Sequence, residues 1–263
     1  MKSLKNRFPL PLSVGGLLLI LFWNATSRGS TTRGVVVCPW ETYFLLSPAI
    51  GTESQEQSVY QERMDKIVDQ LFQHHDIQGL TKAIRKNDVE LQGFYKAYWK
   101  AYLHYYEAVY YKTIVKKEKK AEEAIDAALT ILEAKTYENS EYYALLAACT
   151  SFSIQYVNII KLSKVSSNVL AYAQKSLTLN KANMRAYWVL ASHNFHTPKM
   201  FGGMEKVEEY ARQGLACPNA LDVTPYSPSW GRAELYSLLI QYYELEGRTS
   251  DLEEVKKKYS TQF

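Results

Sequence analysis

Glycine and proline are scarce in this 263-residue chain: twelve and eight residues, roughly 8% together against about 12% in average usage. A sandwich or barrel of many strands needs a turn roughly every 8–12 residues, so the scarcity excludes that architecture and favours long helices. Cysteine is rarer still. Cys38, Cys149 and Cys217 are the three, and none stands in the paired spacing of a metal site. Charge of one sign is also missing once the first 49 residues are set aside. Those carry Lys2, Lys5, Arg7, Arg28 and Arg33 against Glu41 alone, and the remainder balances 26 basic residues against 26 acidic ones. The formal charge of +4 therefore belongs to the N-terminal segment. With no basic excess to neutralise phosphates, nucleic-acid binding is not expected.

What the chain does have is 47% apolar and 22% charged residues, the composition of a globular protein. It also has 21 tyrosines that must be housed somewhere. Residues 1–49 read as an export signal or membrane leader. Basic residues precede an apolar run that is densest from Leu17 to Trp23, and small residues follow at Ala25-Thr26-Ser27. That run is shorter than the roughly 20 residues of a spanning helix. A second apolar patch ends at Ser47-Pro48-Ala49, so cleavage at about residue 27, cleavage at about residue 49 and retention all stay open. Val37, not a small residue, precedes Cys38, which argues against a lipoprotein signal. We expect a protein outside the cytoplasm, periplasmic or attached to the envelope.

From residue 54 onward the apolar period is close to 3.6. Met64, Ile67, Val68, Leu71 and Phe72 mark one helix face, with His74-His75 at its end before Asp76. An aromatic helix is expected from about Leu91 to Val115, its rings set beside Ala97, Ala101 and Ala108 so that helix axes approach closely. Lys116 to Lys120 read as a solvated turn or helix end, and a further helix follows through Ala121, Ile125, Ala128 and Leu132.

Self-similarity gives this list an order. The stretch from Ser176 to Ala191 joins Ser176-Leu177-Thr178-Leu179-Asn180 to a helix with Tyr187, Leu190 and Ala191 at its fourth, seventh and eighth positions. The same register recurs at Tyr143, Leu146 and Ala147 and at Tyr236, Leu239 and Ile240; the last copy adds Tyr243 and Gly247. These residues resemble the tetratricopeptide repeat, with Lys181 standing where that family usually has proline. The resemblance spans roughly residues 90–263. It is degenerate, with extra chain around Ser153 to Ser167 and around His196 to Met204. Tyr142 to Ala148 and Thr197 to Gly203 are further similar to a group of exported bacterial tetratricopeptide-like proteins, a group that brings a fold and no assigned activity. The resemblance implies an all-α, right-handed α-solenoid of helical hairpins over residues 54–263. It also implies a concave face lined by positions two, five, nine and twelve of each first helix. Here those are Arg185, Trp188, Ser192 and Phe195; Glu141, Ala144, Ala148 and Ser151; and Glu234, Ser237, Gln241 and Glu244. Trp188 is either the hot spot of that groove or a core residue.

Catalytic patterns are missing. No serine sits in a nucleophile elbow, and Gly202-Gly203 is followed by Met204-Glu205 rather than the lysine of a phosphate loop. His193 and His196 share a helix face three residues apart but lack the glutamate of a zinc-protease pattern, so packing or capping is the expected role. Glu122-Glu123, Glu205 to Glu209 and Glu253-Glu254 fall in first turns of helices, where the macrodipole favours acids. Cys149 and Cys217 lie in different repeats and are read as a buried thiol and a loop thiol. Neither an enzyme nor a cofactor is expected. The loop from His196 to Gly203 is the most distinctive segment: Thr197-Pro198 has the form of a helix start, and Phe201 precedes a backbone that needs positive φ. Phe201 either seals its own hairpin or closes over one end of the groove. The function read from all this is an exported binding or scaffold module for a peptide, a protein segment or an envelope component. The alternative is a small-ligand receptor or transport-associated subunit with a closed, aromatic-lined pocket.

Overall fold

The structure is a computed structural model that describes residues 58–222 and 224–263. The leader expected over residues 1–49, Cys38 included, lies outside the described residues. Among these, all regular structure is helical, with ten α-helices and no strand. They are α1 (Val59–His74), α2 (Ile77–Glu90), α3 (Gly93–Tyr110), α4 (Glu118–Glu133), α5 (Ser140–Ser153), α6 (Ile159–Leu179), α7 (Met184–His196), α8 (Val207–Leu215), α9 (Arg232–Leu245) and α10 (Thr249–Gln262).

Short polar side chains set the starts. Ser58 Oγ accepts from Gln61 N, Asp76 Oδ1 from Gly79 N, Asn158 Oδ1 from Lys161 N, and Asn139 and Asn183 cap α5 and α7. Each satisfies a backbone donor that the first helical turn leaves free. α1 ends as the sequence implies, with His75 in the left-handed region at φ 57 and its Nδ1 bonded to Tyr110 Oη at 3.1 Å. The aromatic helix widens into a π-turn over Tyr111–Val115, and Lys116 at φ 58 closes it. The extra chain expected around Ser153 to Ser167 is mostly helix. A 3₁₀ turn over Ile154–Tyr156 leads directly into α6, the longest helix described, at 21 residues.

Consecutive helices pair as hairpins, α1 with α2, α3 with α4, α5 with α6, α7 with α8 and α9 with α10, and the first helix of each later hairpin also packs on its predecessor. Alanines make the close approaches: Ala101, Ala108, Ala128, Ala144, Ala147, Ala186, Ala191 and Ala211 are fully buried. A Cβ on Gly214 would lie 2.7 Å from Leu235 Cδ1, so α8 meets α9 almost backbone to side chain. The tyrosines fill the interior. Tyr98, Tyr102, Tyr105 and Tyr106 of α3 are buried, linked through Trp99 by tilted and edge-on contacts at centroid distances near 5 Å.

One feature departs from an open row of hairpins. The segment from Ala216 to Gly231, without regular structure where it is described, runs back over the starts of α7, α3 and α1 as a strap. Asn219 O and Trp230 O accept from Arg185 of α7, and Tyr226 O accepts from Trp99 Nε1 of α3. Pro225 O accepts from Tyr60 N, and Ser229 N donates to Gln61 Oε1, both of α1. Trp230 lies among the rings of Tyr98, Tyr102 and Trp188, and its indole N–H donates to Tyr98 Oη at 2.8 Å. α9 then begins beside α3, where Tyr106 Oη donates to Glu234 Oε1.

Candidate functional site

The strap occupies the face expected to hold a partner. Arg185 is completely buried, its guanidinium forked onto Glu141 with both N···O distances at 2.6 Å, and its remaining nitrogen is held by the two strap carbonyls. Burial pushes the Glu141 carboxyl up against the pull of that guanidinium. Trp188 is 4% exposed and meets Trp230 edge to face at 5.4 Å. Ser192, Ala144 and Ala148 are buried too, so the stripe from α5 and α7 is core rather than open groove. The physical reason is that the chain supplies its own aromatic occupant. Glu234, Ser237, Gln241 and Glu244 on α9 are half-buried; Glu244 pairs with Lys256 of α10, and Gln241 donates to Ser237 O. Ser151 and Phe195 are half-buried, Phe195 standing edge-on to His196 at 4.7 Å.

Phe201 behaves differently. It is 64% exposed and seals nothing. Thr197 closes α7 instead of opening a new helix: its Oγ1 donates to His193 O, and Pro198 precedes a single 3₁₀ turn over Lys199–Phe201. Gly202 takes φ 80, as the sequence implies, and a Cβ on Gly203 would collide with Thr197 O at 1.7 Å. Folded back in this way, the turn holds Met200, 80% exposed, and Phe201 out into water.

Other apolar side chains stand at the same end. Ser166 of α6 shares a 3.0 Å hydrogen bond with His193 Nε2 of α7. α6 runs away from Ile159 and α7 returns beside it, so the start of α6 and the turn that follows α7 lie at the same end of the hairpins. Ile159 and Ile160 are 77% and 87% exposed. The ion pair Lys199–Glu246 ties the turn to the end of α9, one residue past exposed Leu245. Three neighbouring hairpin tips thus present Ile159, Ile160, Met200, Phe201 and Leu245. Sequence reasoning reached only Phe201 of these five.

Beneath this patch lies an unusual polar group. His196 is buried with neither ring nitrogen hydrogen-bonded, and burial, helped by nearby His193, lowers its pKa to about 3. Folded, this imidazole stays neutral; unfolded, it takes up a proton near pH 6.5. The unfolded chain therefore binds more protons between those values, and stability falls as pH drops from about 6.5 toward 3, by at most about 1.4 kcal/mol per pH unit for one group. Urea midpoints compared at pH 7 and pH 5 should show that loss, and His196→Phe should flatten it. An unchanged slope in the variant would refute the assignment.

Concavities among the described residues lie elsewhere. One, of about 720 Å³, is an open hollow lined by Gln70, His74, His75, Asp76, Ile77 and Gln78. Another, of about 260 Å³, lies between α8, α9 and α10 against Tyr236, Leu239, Tyr243 and Val255. Neither is a closed aromatic chamber. Among the described residues no three His, Cys, Asp or Glu side chains are grouped to hold a metal, and no helix is long and apolar enough to cross a membrane. Cys149 and Cys217 are both free thiols, the first buried and the second half-buried. No family model matches the chain, and no curated protein matches it. Among solved structures the fold is similar to that of the HusA haemophore from Porphyromonas gingivalis, with a TM-score of 0.50 and 22% identity, covering 74% of this chain and 96% of that one.

Proposed function

We propose that this chain is an exported binding protein, built as a right-handed, tetratricopeptide-like solenoid of helical hairpins, that carries a large, flat, mainly apolar ligand with acidic substituents, of the haem class, on its hairpin tips. The observation that carries the reading is the patch of Ile159, Ile160, Met200, Phe201 and Leu245, side chains held in water at one end of a molecule whose other large apolar groups are mostly packed inside. Apolar clusters of this kind mark interaction surfaces. Lys161 and Lys164, exposed and outside every ion pair among the described residues, stand within one turn of Ile160 to meet carboxylates. A protein of similar fold being described as a haemophore supports the same choice.

The test is a haem titration followed by absorbance, without lipid. Wild-type protein should saturate at one equivalent, and Met200→Ser combined with Phe201→Ser should weaken binding at least about tenfold, since about 1.4 kcal/mol of lost contact is a factor of ten. Equal affinity in the variant would remove the ligand from the tips. The scaffold reading keeps one observation in its favour: the tip side chains stand out in water on separate hairpins, and a protein segment can cover them as well as a ring does. A partner captured by wild-type protein that refuses haem would decide for it.

A further inference from the structure

The tips carry more than apolar side chains. Neighbouring them is the α3–α4 tip, placed there by Lys112, whose ammonium lies 5.8 Å from the centre of the Tyr156 ring at the start of the α5–α6 connection. That tip exposes Lys116, Lys117, Lys119 and Lys120. Lys161 and Lys164 follow beside Ile160, and Lys199 beside Met200. Carboxylates stand there too but are fewer than the lysines: Glu118 and Glu246 are held by Lys112 and Lys199, and Glu122, Glu123 and Glu205 are exposed. A domain that is neutral as a whole thus gathers basic residues at the one end where its aliphatic and aromatic side chains protrude.

Protruding apolar groups inside a ring of lysines match the layering of an anionic bilayer, with hydrocarbon at depth and phosphates above it. We propose that the hairpin-tip end docks on an anionic lipid surface. Ile159, Ile160, Met200, Phe201 and Leu245 enter the interface, and Lys116, Lys117, Lys161 and Lys164 meet the headgroups. The docking stands on the patch and its charge; only one consequence rests on the ligand reading, namely that a ligand on the tips is released into or collected from the bilayer on contact.

The experiment uses the full chain with Phe201→Trp, so that a reporter sits on the tip however the N-terminal segment behaves. Vesicles of phosphatidylcholine with about one-third phosphatidylglycerol, bromine-labelled in their acyl chains, should quench and blue-shift the added emission. Pure phosphatidylcholine should do so far less, and about 0.5 M salt should reverse the effect. Lys161→Glu with Lys164→Glu should weaken partition at least about tenfold, at roughly 1 kcal/mol per lysine near the surface. Binding that leaves the tip tryptophan in water, or that ignores lipid charge, would overturn the proposal. So would a dimer in lipid-free sedimentation that Ile160→Asp abolishes, which would assign the patch to a second copy. Haem is absent throughout and lipid is absent from the haem titration, so each reading fails by its own measurement.

Discussion

Replacing Glu141 by leucine should lower the unfolding free energy by about 3–5 kcal/mol, because it strands the completely buried guanidinium of Arg185 without its counter-ion. The carbonyls of Asn219 and Trp230 satisfy one nitrogen but supply no negative charge. Arg185→Met in the Glu141→Leu background should recover most of the loss, since two apolar residues of similar bulk avoid both desolvation costs. Chemical denaturation of the three variants checks this. A Glu141→Leu protein within about 0.5 kcal/mol of wild type would mean that water reaches the pair and that the strap is not seated as described.

The second large effect is expected at Trp230. Truncation to alanine removes an indole packed on Trp188 and Tyr102 together with its hydrogen bond to Tyr98, at a cost of about 3–5 kcal/mol. The loss should be local in its first symptom. Hydrogen exchange should quicken at Tyr60 N and Ser229 N, which bridge strap and first helix, before the helices of the later hairpins open. Simultaneous acceleration everywhere would instead make the strap an integral part of one cooperative unit.

The helices were legible because their causes are local. The 3.6 period, the alanine–ring alternation and the repeat register act within a few residues, and α1, α3, α4, α5, α7 and α9 fall where those signals place them. α6 instead fills chain expected as an insertion, and Thr197-Pro198 ends a helix rather than starting one. The recurring Tyr–Leu–small register located the first helices of the later hairpins. The groove was not legible, because its occupant comes from a distant part of the sequence. Nothing around Pro225 to Trp230 announces a return to Tyr60, and Arg185 and Trp188 look alike whether they face a partner or a strap. Arg185 belongs to the core only through Glu141, 44 positions upstream, and two strap carbonyls 34 and 45 positions downstream. The tips were missed for the opposite reason: reading apolar residues as interior hides an Ile159-Ile160 pair that a helix start points outward.

The strap also orders events in time. Nearly every hairpin contact joins neighbours in sequence, the kind of contact that forms quickly as a chain emerges. The bonds from Tyr60 to Pro225 and from Gln61 to Ser229 close a span of 168 residues in the second case. α1, the earliest of the described helices to be made, thus waits for the strap before Tyr60 N and Gln61 Oε1 are satisfied. Until then the aromatic face of α3 lies open, and any synthesis that stalls before residue 224 yields hairpins with an uncovered ring surface. That delay keeps the molecule unclosed until the strap has been made.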